Sequence, residues 1–214
     1  CEKYTNISSI ERAYELSIIR SQVESLYLSL TSKEILFYDS IISHLIYLSS
    51  SKREYVDITS KNNKGQPSLW AYGISGDLPL MLLPINEEHD IPILKQSLKA
   101  HEYLKLKGLK TDLLILNMDE SNYLQPLRQI INDIVESGSG KYYLEEEGGI
   151  YIRNASSIPQ EDINLLYAVA RVILKDRMDD LDEEITLELY KGEVSDNGSD
   201  TLGAFDKEKL LFFN

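Results

Sequence analysis

Leu80-Met81-Leu82-Leu83 and Leu113-Leu114-Ile115-Leu116 are two unbroken apolar tetrads, and what separates them decides the fold. Continuous rather than alternating apolarity suits strands covered on both faces, as parallel strands are. Between the tetrads, Asp90 is expected to cap a helix with Pro92 in its first turn and Gly108 after its last; this is the expected asymmetry of start and stop signals. A third apolar run, Ile150 to Ile152, follows a second helix that places Leu124, Leu127, Ile131 and Ile134 on one face and ends at Gly138. A third helix comes after Ser157 and Pro159, with Ile163, Leu166, Ala170 and Ile173 facing inward. Strands alternating with helices through right-handed crossovers predict an α/β fold: a three-layer domain with a small parallel sheet of at least three strands covered by helices.

Upstream, two more helices are expected, each announced by a capping box, Ser8 with Glu11 and Thr31 with Glu34, in which hydroxyl and carboxylate satisfy the first free amides. Leu16, Ile19, Val23, Leu26 and Leu30 form one face of the first helix, and Ile35, Tyr38, Ile42 and Leu45 one face of the second. With so little chain between them, the pair reads as a helical hairpin. The expected organisation is thus a hairpin over 1–52, a polar linker over 53–68, the α/β domain over 69–175 and an acidic, partly disordered tail over 176–214 leading to a further domain. Ile185 to Tyr190 in that tail reads as an added strand.

Composition narrows the function. Of 214 residues 43% are apolar, enough for a substantial core. The net charge is −13, so nucleic acid and anionic membranes are not expected partners, because both are bound through clustered cations. Asp176 to Glu208 carries twelve acids against three bases. The single Cys1 and three scattered histidines exclude a disulfide framework and the usual zinc sites; no metal and no cofactor is expected. The run Leu78 to Ile85 holds two prolines and is far shorter than the roughly 20 residues of a membrane helix. With no apolar leader after Glu2 and Lys3, a cytoplasmic location is expected. A start on Cys1 in place of Met suggests a piece of a longer protein.

Several motifs invite chemistry and are outweighed by plainer readings. Gly138-Ser139-Gly140-Lys141 leaves a helix where a phosphate loop must leave a strand, and Tyr142 stands where a magnesium-binding hydroxyl is needed. Ser75 with His89 and Asp77 lacks the nucleophile-elbow spacing. Glu87 with Glu88, and Asp119 with Glu120, lie just past strand ends, where open α/β sheets bind ligands; paired carboxylates there suit glycoside hydrolysis, but acids near helix N-termini are stabilising without a ligand. His101 and His44 sit in apolar helices as packing residues.

The most unusual stretch is Gln66 to Pro84. Trp70, the single tryptophan, is followed by Tyr72, and Gly73 and Gly76 flank a short turn before Asp77, Leu78 and Pro79. A ring that stacks on a pyranose beside a carboxylate makes a sugar platform. The alternative, favoured by residue chemistry alone, is an aromatic plug sealing the sheet edge. Asp77 is expected to hold the turn by accepting from its backbone amides, and Pro79 to set the extended entry to the strand.

Leu69-Trp70-Ala71-Tyr72-Gly73-Ile74-Ser75-Gly76-Asp77-Leu78-Pro79 resembles the hallmark segment of cyclic β-1,2-glucan synthases and related glycoside phosphorylase-type proteins. Further matches follow in order: Ala100 to Leu109, Asp112 to Asn117, Gly148 to Arg153 and Ala168 to Val172. Phe212-Phe213-Asn214 resembles the opening of the β-sandwich that follows in such proteins. In that family the phosphorylase-like chemistry belongs to a helical toroid and glycosyl transfer to a separate module, so the resemblance carries no catalytic residue onto this chain. It implies an accessory α/β segment between β-sandwich domains of a bacterial glycosyltransferase or phosphorylase. Its implied partners are the neighbouring β-sandwich and catalytic domains and β-glucan itself. Trp70, Tyr72, Ser75, Asp77, Asn117 and Asp119 are the candidate carbohydrate or interdomain contacts, with Gly73, Gly76 and Pro79 shaping the turn. An independent small hydrolase or transferase using the strand-end acids, and a purely structural connector, are the competing readings.

Overall fold

A computed structural model describes residues 6–47, 56–119 and 126–175. Four parallel strands, β1 (Leu80–Ile85), β2 (Asp112–Asn117), β3 (Ile150–Asn154) and β4 (Val172–Ile173), form one sheet in the order β3-β2-β1-β4. The helices are α1 (Ile7–Tyr27), α2 (Ser32–Ile46), α3 (Val56–Thr59), α4 (Ile91–Leu106), α5 (Pro126–Ser137) and α6 (Gln160–Val169). The three apolar runs are strands, and they lie parallel, as their patterning predicts. In register, Leu80 opposes Asp112 and Leu113 opposes Ile150.

Alternation along each strand divides the core in two. Leu80, Leu82, Leu114, Leu116 and Tyr151 pack with Leu69, Ile74, Ile163 and Leu166 on one face, beneath α6 and the turn preceding β1. Met81, Leu83, Leu113 and Ile115 are fully buried on the other, toward α4. The chain steps from β1 to β2 to β3 in one direction and then crosses back to β4 on the far side of β1, which makes β1 and β4 the topological switch point.

Several elements differ from their sequence signatures. β4 was expected as the end of the last helix: α6 stops at Val169, so Val172 and Ile173 pair with Met81 and Leu82 rather than completing a helical face. The cap of α1 is Asn6, whose side chain accepts from the Ser8 amide, in place of the Ser8 and Glu11 box. Thr31 and Glu34 do form theirs. Asp90 precedes α4 but turns its carboxylate back to the amides of Asn86 and Glu87. The expected linker contains α3 and the start of a 3-10 segment, Gln66–Tyr72. On α2 the inward face is Phe37, Tyr38, Ile41 and Leu45, with Ile35 and Ile42 half-buried at its rim. Leu124, Glu120, the strand expected over Ile185 to Tyr190 and the acidic tail lie outside the described residues.

The largest departure is α1. Its predicted inward face is turned outward: Leu16, Ile19, Val23 and Leu26 are all more than half exposed, and the buried residue of the helix is Glu24. Glu24 sits 2.9 Å from Lys107 Nζ and 2.7 Å from Arg20 Nε, Lys107 also donates to Ser21 Oγ, and Arg20 donates to the Leu106 carbonyl. A helix with an apolar seam is thus docked through its polar side. Among the described residues no helix is long and apolar enough to cross a membrane.

Candidate functional site

The turn that feeds β1 is built from the inside out. Gly65 leads into the 3-10 segment with Pro67 in its first turn, and at three residues per turn Leu69 points to the core with Ile74 just beyond the segment; both are buried. Gly73 ends the segment at φ 75°, its amide bonded to the Trp70 carbonyl, while the Ile74 amide reaches the Leu69 carbonyl. Gly76 has φ 77°, and a Cβ there would lie 2.8 Å from Gln66 Cγ and 2.9 Å from Leu69 Cδ1. Glycine is required at 76 for both conformation and space.

This geometry puts Trp70 outside. Its side chain leaves the segment a third of a turn round from Leu69, and the residue is 63% exposed, which replaces the expected plug: the sheet face is sealed by Leu69 and Ile74 instead. The indole N–H donates to the Ser75 carbonyl at 3.3 Å, and the same carbonyl accepts from Gln66 Nε2 at 2.9 Å. Gln66 Nε2 also reaches Asp77 Oδ1 at 3.0 Å. The Asp77 amide donates to Ser75 Oγ at 3.2 Å. Asp77 therefore does not close the turn with its carboxylate as expected. The Ser75 hydroxyl, two residues back, takes that amide, and the carboxylate receives a side-chain amide. Pro79 contributes its carbonyl, which accepts from the first amide of β2.

Tyr72, half-buried, anchors the other end of the segment. Its hydroxyl donates to Asp162 Oδ2 at 2.8 Å, and Lys64 Nζ bonds Asp162 Oδ1 at 2.7 Å. The Lys64 ammonium holds the Asp162 carboxyl below its ordinary range, while burial, aided by that carboxylate, pushes the Tyr72 hydroxyl up to about 12. Arg153 on β3 makes two 2.6 Å bonds to the Glu145 carboxylate and a third to the Tyr72 carbonyl. Charge-assisted bonds of this kind are the stronger ones, so the turn is clamped to β3 and α6 at several points and holds Trp70 in a fixed pose.

Asn117 and Asp119 belong elsewhere. They lie at the carboxyl end of β2, Asn117 as its last residue and Asp119 two residues on, where Asn117 donates to Asn154 at 3.2 Å and accepts from the Asp119 amide. The six candidate contacts thus fall into the Trp70 turn and a pair at the carboxyl end of β2. His89 lies past the carboxyl end of β1, bracketed by Glu87 at 3.1 Å and Asp90 at 3.4 Å, while Ser75 and Asp77 precede the amino end. Six strand residues, roughly 20 Å, separate them, so no triad forms. At the switch point the β1–α4 loop carries Glu87, Glu88 and Asp90 and no glycine, the reverse of what a phosphate needs. Ser139 donates to Glu102 at 2.6 Å in a turn that leaves α5, so that glycine-rich stretch is structural.

A second set of polar groups is buried beside β2. His101 Nε2 meets the Thr111 carbonyl at 2.9 Å, and burial pulls the imidazole down to about 4. Asp112 accepts from the Gly148 amide at 2.8 Å, and burial raises its carboxyl.

No protein-family profile matches the chain. Part of the chain is similar to a glucan synthase. Over 118 residues, 55% of this chain, it is 32% identical to the cyclic beta-(1,2)-glucan synthase NdvB of Rhizobium meliloti (strain 1021), and the chain spans 4% of that protein's length. Sequence reasoning had missed the residues that fix the turn, Lys64, Gln66, Glu145, Arg153 and Asp162. Lys64 bonds Asp162 across 98 positions and Arg153 the Tyr72 carbonyl across 81, pairings that no local spacing encodes, while Glu145 lies only 8 residues from Arg153. Gln66 is near too, 11 residues from Asp77, and a glutamine opening a segment that ends in a glycine turn was a usable signal.

Proposed function

We propose that this chain is an accessory, non-catalytic α/β domain of a large carbohydrate-active protein related to cyclic β-(1,2)-glucan synthases, and that the Trp70 turn is its glucan-contact surface. The observation that carries the reading is an exposed indole on a clamped turn, within a chain similar to a small part of a glucan synthase. Its N–H is spent on the Ser75 carbonyl, which leaves the ring face for stacking on a pyranose, and the exposed Gln66 and Asp77 beside it offer polar groups for hydroxyls. A ring already held in place loses little conformational freedom on binding. The acids and bases around it, Glu145, Arg153, Asp162 and Lys64, are committed to one another, which favours positioning over proton transfer. In the parent protein, neighbouring β-sandwich and catalytic domains would deliver the glucan chain to this surface.

Because Trp70 is the single tryptophan, its fluorescence reports on the surface directly. Titration with β-1,2-linked glucooligosaccharides should give a saturable change, and calorimetry should lose the binding in Trp70→Ala with the melting temperature held. The chain should release neither glucose nor glucose 1-phosphate. Unchanged fluorescence and no heat would overturn the glucan contact. Turnover abolished by Glu87→Gln or Asp119→Asn would overturn the non-catalytic role.

A further inference from the structure

A second segment at the amino end of the sheet has the same build as the Trp70 turn. Ser139–Tyr143 is 3-10 in conformation and leads into β3, as Gln66–Tyr72 leads into β1. It too is fixed from beneath. Ser139 donates to Glu102 of α4 at 2.6 Å, the Lys105 ammonium lies 3.2 Å from the centre of the Tyr143 ring, and a Cβ on Gly140 would lie 3.1 Å from both Ile150 and Val135. One ring is left outside: Tyr142 is 67% exposed, with the Lys141 ammonium 4.8 Å from its centre. Between positions 56 and 175, Trp70 and Tyr142 are the exposed aromatic side chains among the described residues.

The two segments meet at their ends. Gly73 closes the first at φ 75°, and Glu145, two residues past the second, holds φ 60°, a left-handed conformation uncommon outside glycine. A Cβ on Gly73 would lie 3.7 Å from Glu145 Oε2 and 3.2 Å from Arg153 Nη2, so the Glu145–Arg153 pair sits where the segments touch. Trp70 stands three residues before Gly73, and Tyr142 three before Glu145, which puts their Cα atoms less than roughly 30 Å apart. Residues held in sparsely populated backbone conformations gather at ligand clamps. The Glu145 side chain is 53% exposed; its carboxylate accepts from Arg153 through both oxygens and keeps lone pairs for further donors.

We propose that Trp70, Glu145 and Tyr142 form one track for a glucan chain, with an aromatic ring at each end and the carboxylate between them receiving sugar hydroxyls. The track rests on the glucan contact assigned to Trp70 and extends it: the ligand is a chain lying lengthwise across the amino end of β3, not a single terminal sugar. Two weak stacking contacts joined through one ligand reinforce each other, because the second is made at a high effective concentration. The exposed row Glu145, Glu146 and Glu147 suits an uncharged chain, since it repels anionic sugars.

Calorimetry and Trp70 fluorescence of the full chain, with linear β-1,2-linked glucose oligosaccharides from the disaccharide to chains of about a dozen units, test this. The disaccharide should bind through Trp70 alone, and affinity should step up about tenfold at the length that reaches both rings. Tyr142→Ala should leave disaccharide binding and the melting temperature unchanged and remove that step, keeping only the gradual gain from the extra registers a longer chain offers. Tyr142→Phe should keep the step, because it keeps the stacking face. Glu145→Gln should weaken the long chains severalfold and spare the disaccharide; equal loss at both lengths would overturn its place in the track. Disaccharide binding without a step, or a step indifferent to Tyr142→Ala, would overturn the track and leave the Trp70 contact standing, whereas no binding at any length would overturn both.

Discussion

Helices α4 and α1 carry apolar residues at the same three-and-four spacing, and the fold uses them in opposite ways. α4 buries Ile93, Leu94, Ala100, Tyr103 and Leu104 against the sheet and α2, while α1 buries Glu24 and exposes its leucines and isoleucines. Periodicity defines a face, and the tethers decide where that face points. On α1 the tethers are polar: Lys107 and Arg20 to Glu24, Lys107 to Ser21 and Arg20 to a backbone carbonyl. Apolar burial contributes in proportion to area and is not screened by salt, whereas an ion-paired tether is, most of all through the exposed Arg20 and least through Lys107, which is largely covered beside the buried Glu24. The α/β core and the α1 attachment should therefore fail under different conditions.

The largest expected contrast is between truncations of the two faces. Leu94→Ala opens a cavity under α4 and should cost about 2–5 kcal/mol, whereas Ile19→Ala should stay within about 0.5 kcal/mol. Denaturant unfolding of dilute protein measures both, and equal costs would erase the distinction.

Next in size is the effect of acid on α4. His101 titrates near 6.5 when unfolded and at about 4 when buried, so on acidification the unfolded chain takes up the proton first. Stability is then level above pH 6.5 and falls as the pH drops toward 4, by about 3 kcal/mol in all. His101→Gln should flatten that slope. Glu24 behaves differently: burial alone would raise its carboxyl, but Arg20 and Lys107 outweigh burial and hold it below 4.5. Its contribution is present above 4.5 and lost at lower pH, so mild acid should strain the core before it frees α1.

The smallest effect is at the tether. Glu24→Gln keeps the shape and removes the charge that Lys107 and Arg20 hold, and should cost about 1–2 kcal/mol. Helicity near the amino end should fall while the near-ultraviolet signal of the core is kept.

The parts legible in the sequence are those whose physics is local. Two apolar tetrads and one apolar triplet specify three strands, because backbone pairing and burial on both faces leave no room for polar side chains. Thr31 with Glu34 and the glycine after α4 mark helix ends with groups a few residues apart. β4 was hidden because two residues carry no period, and its pairing with Met81 lies 91 positions up the chain. The Trp70 turn is legible as unusual but not as clamped, since Arg153 and Asp162, which fix it, come from a distant strand and a distant helix. Spacing shows that α1 has an apolar face but not which way it points, because the glutamate that seats the helix gives no signal until Lys107 is beside it.

Residue-resolved amide hydrogen exchange on dilute chain tests most directly whether α1 is a polar-tethered helix on an independently stable core. The amides of α4, β1 and β2 should exchange at the rate set by global unfolding, and those of α1 at least about a hundredfold faster through local opening. Amides of α1 as protected as those of α4 would contradict the account.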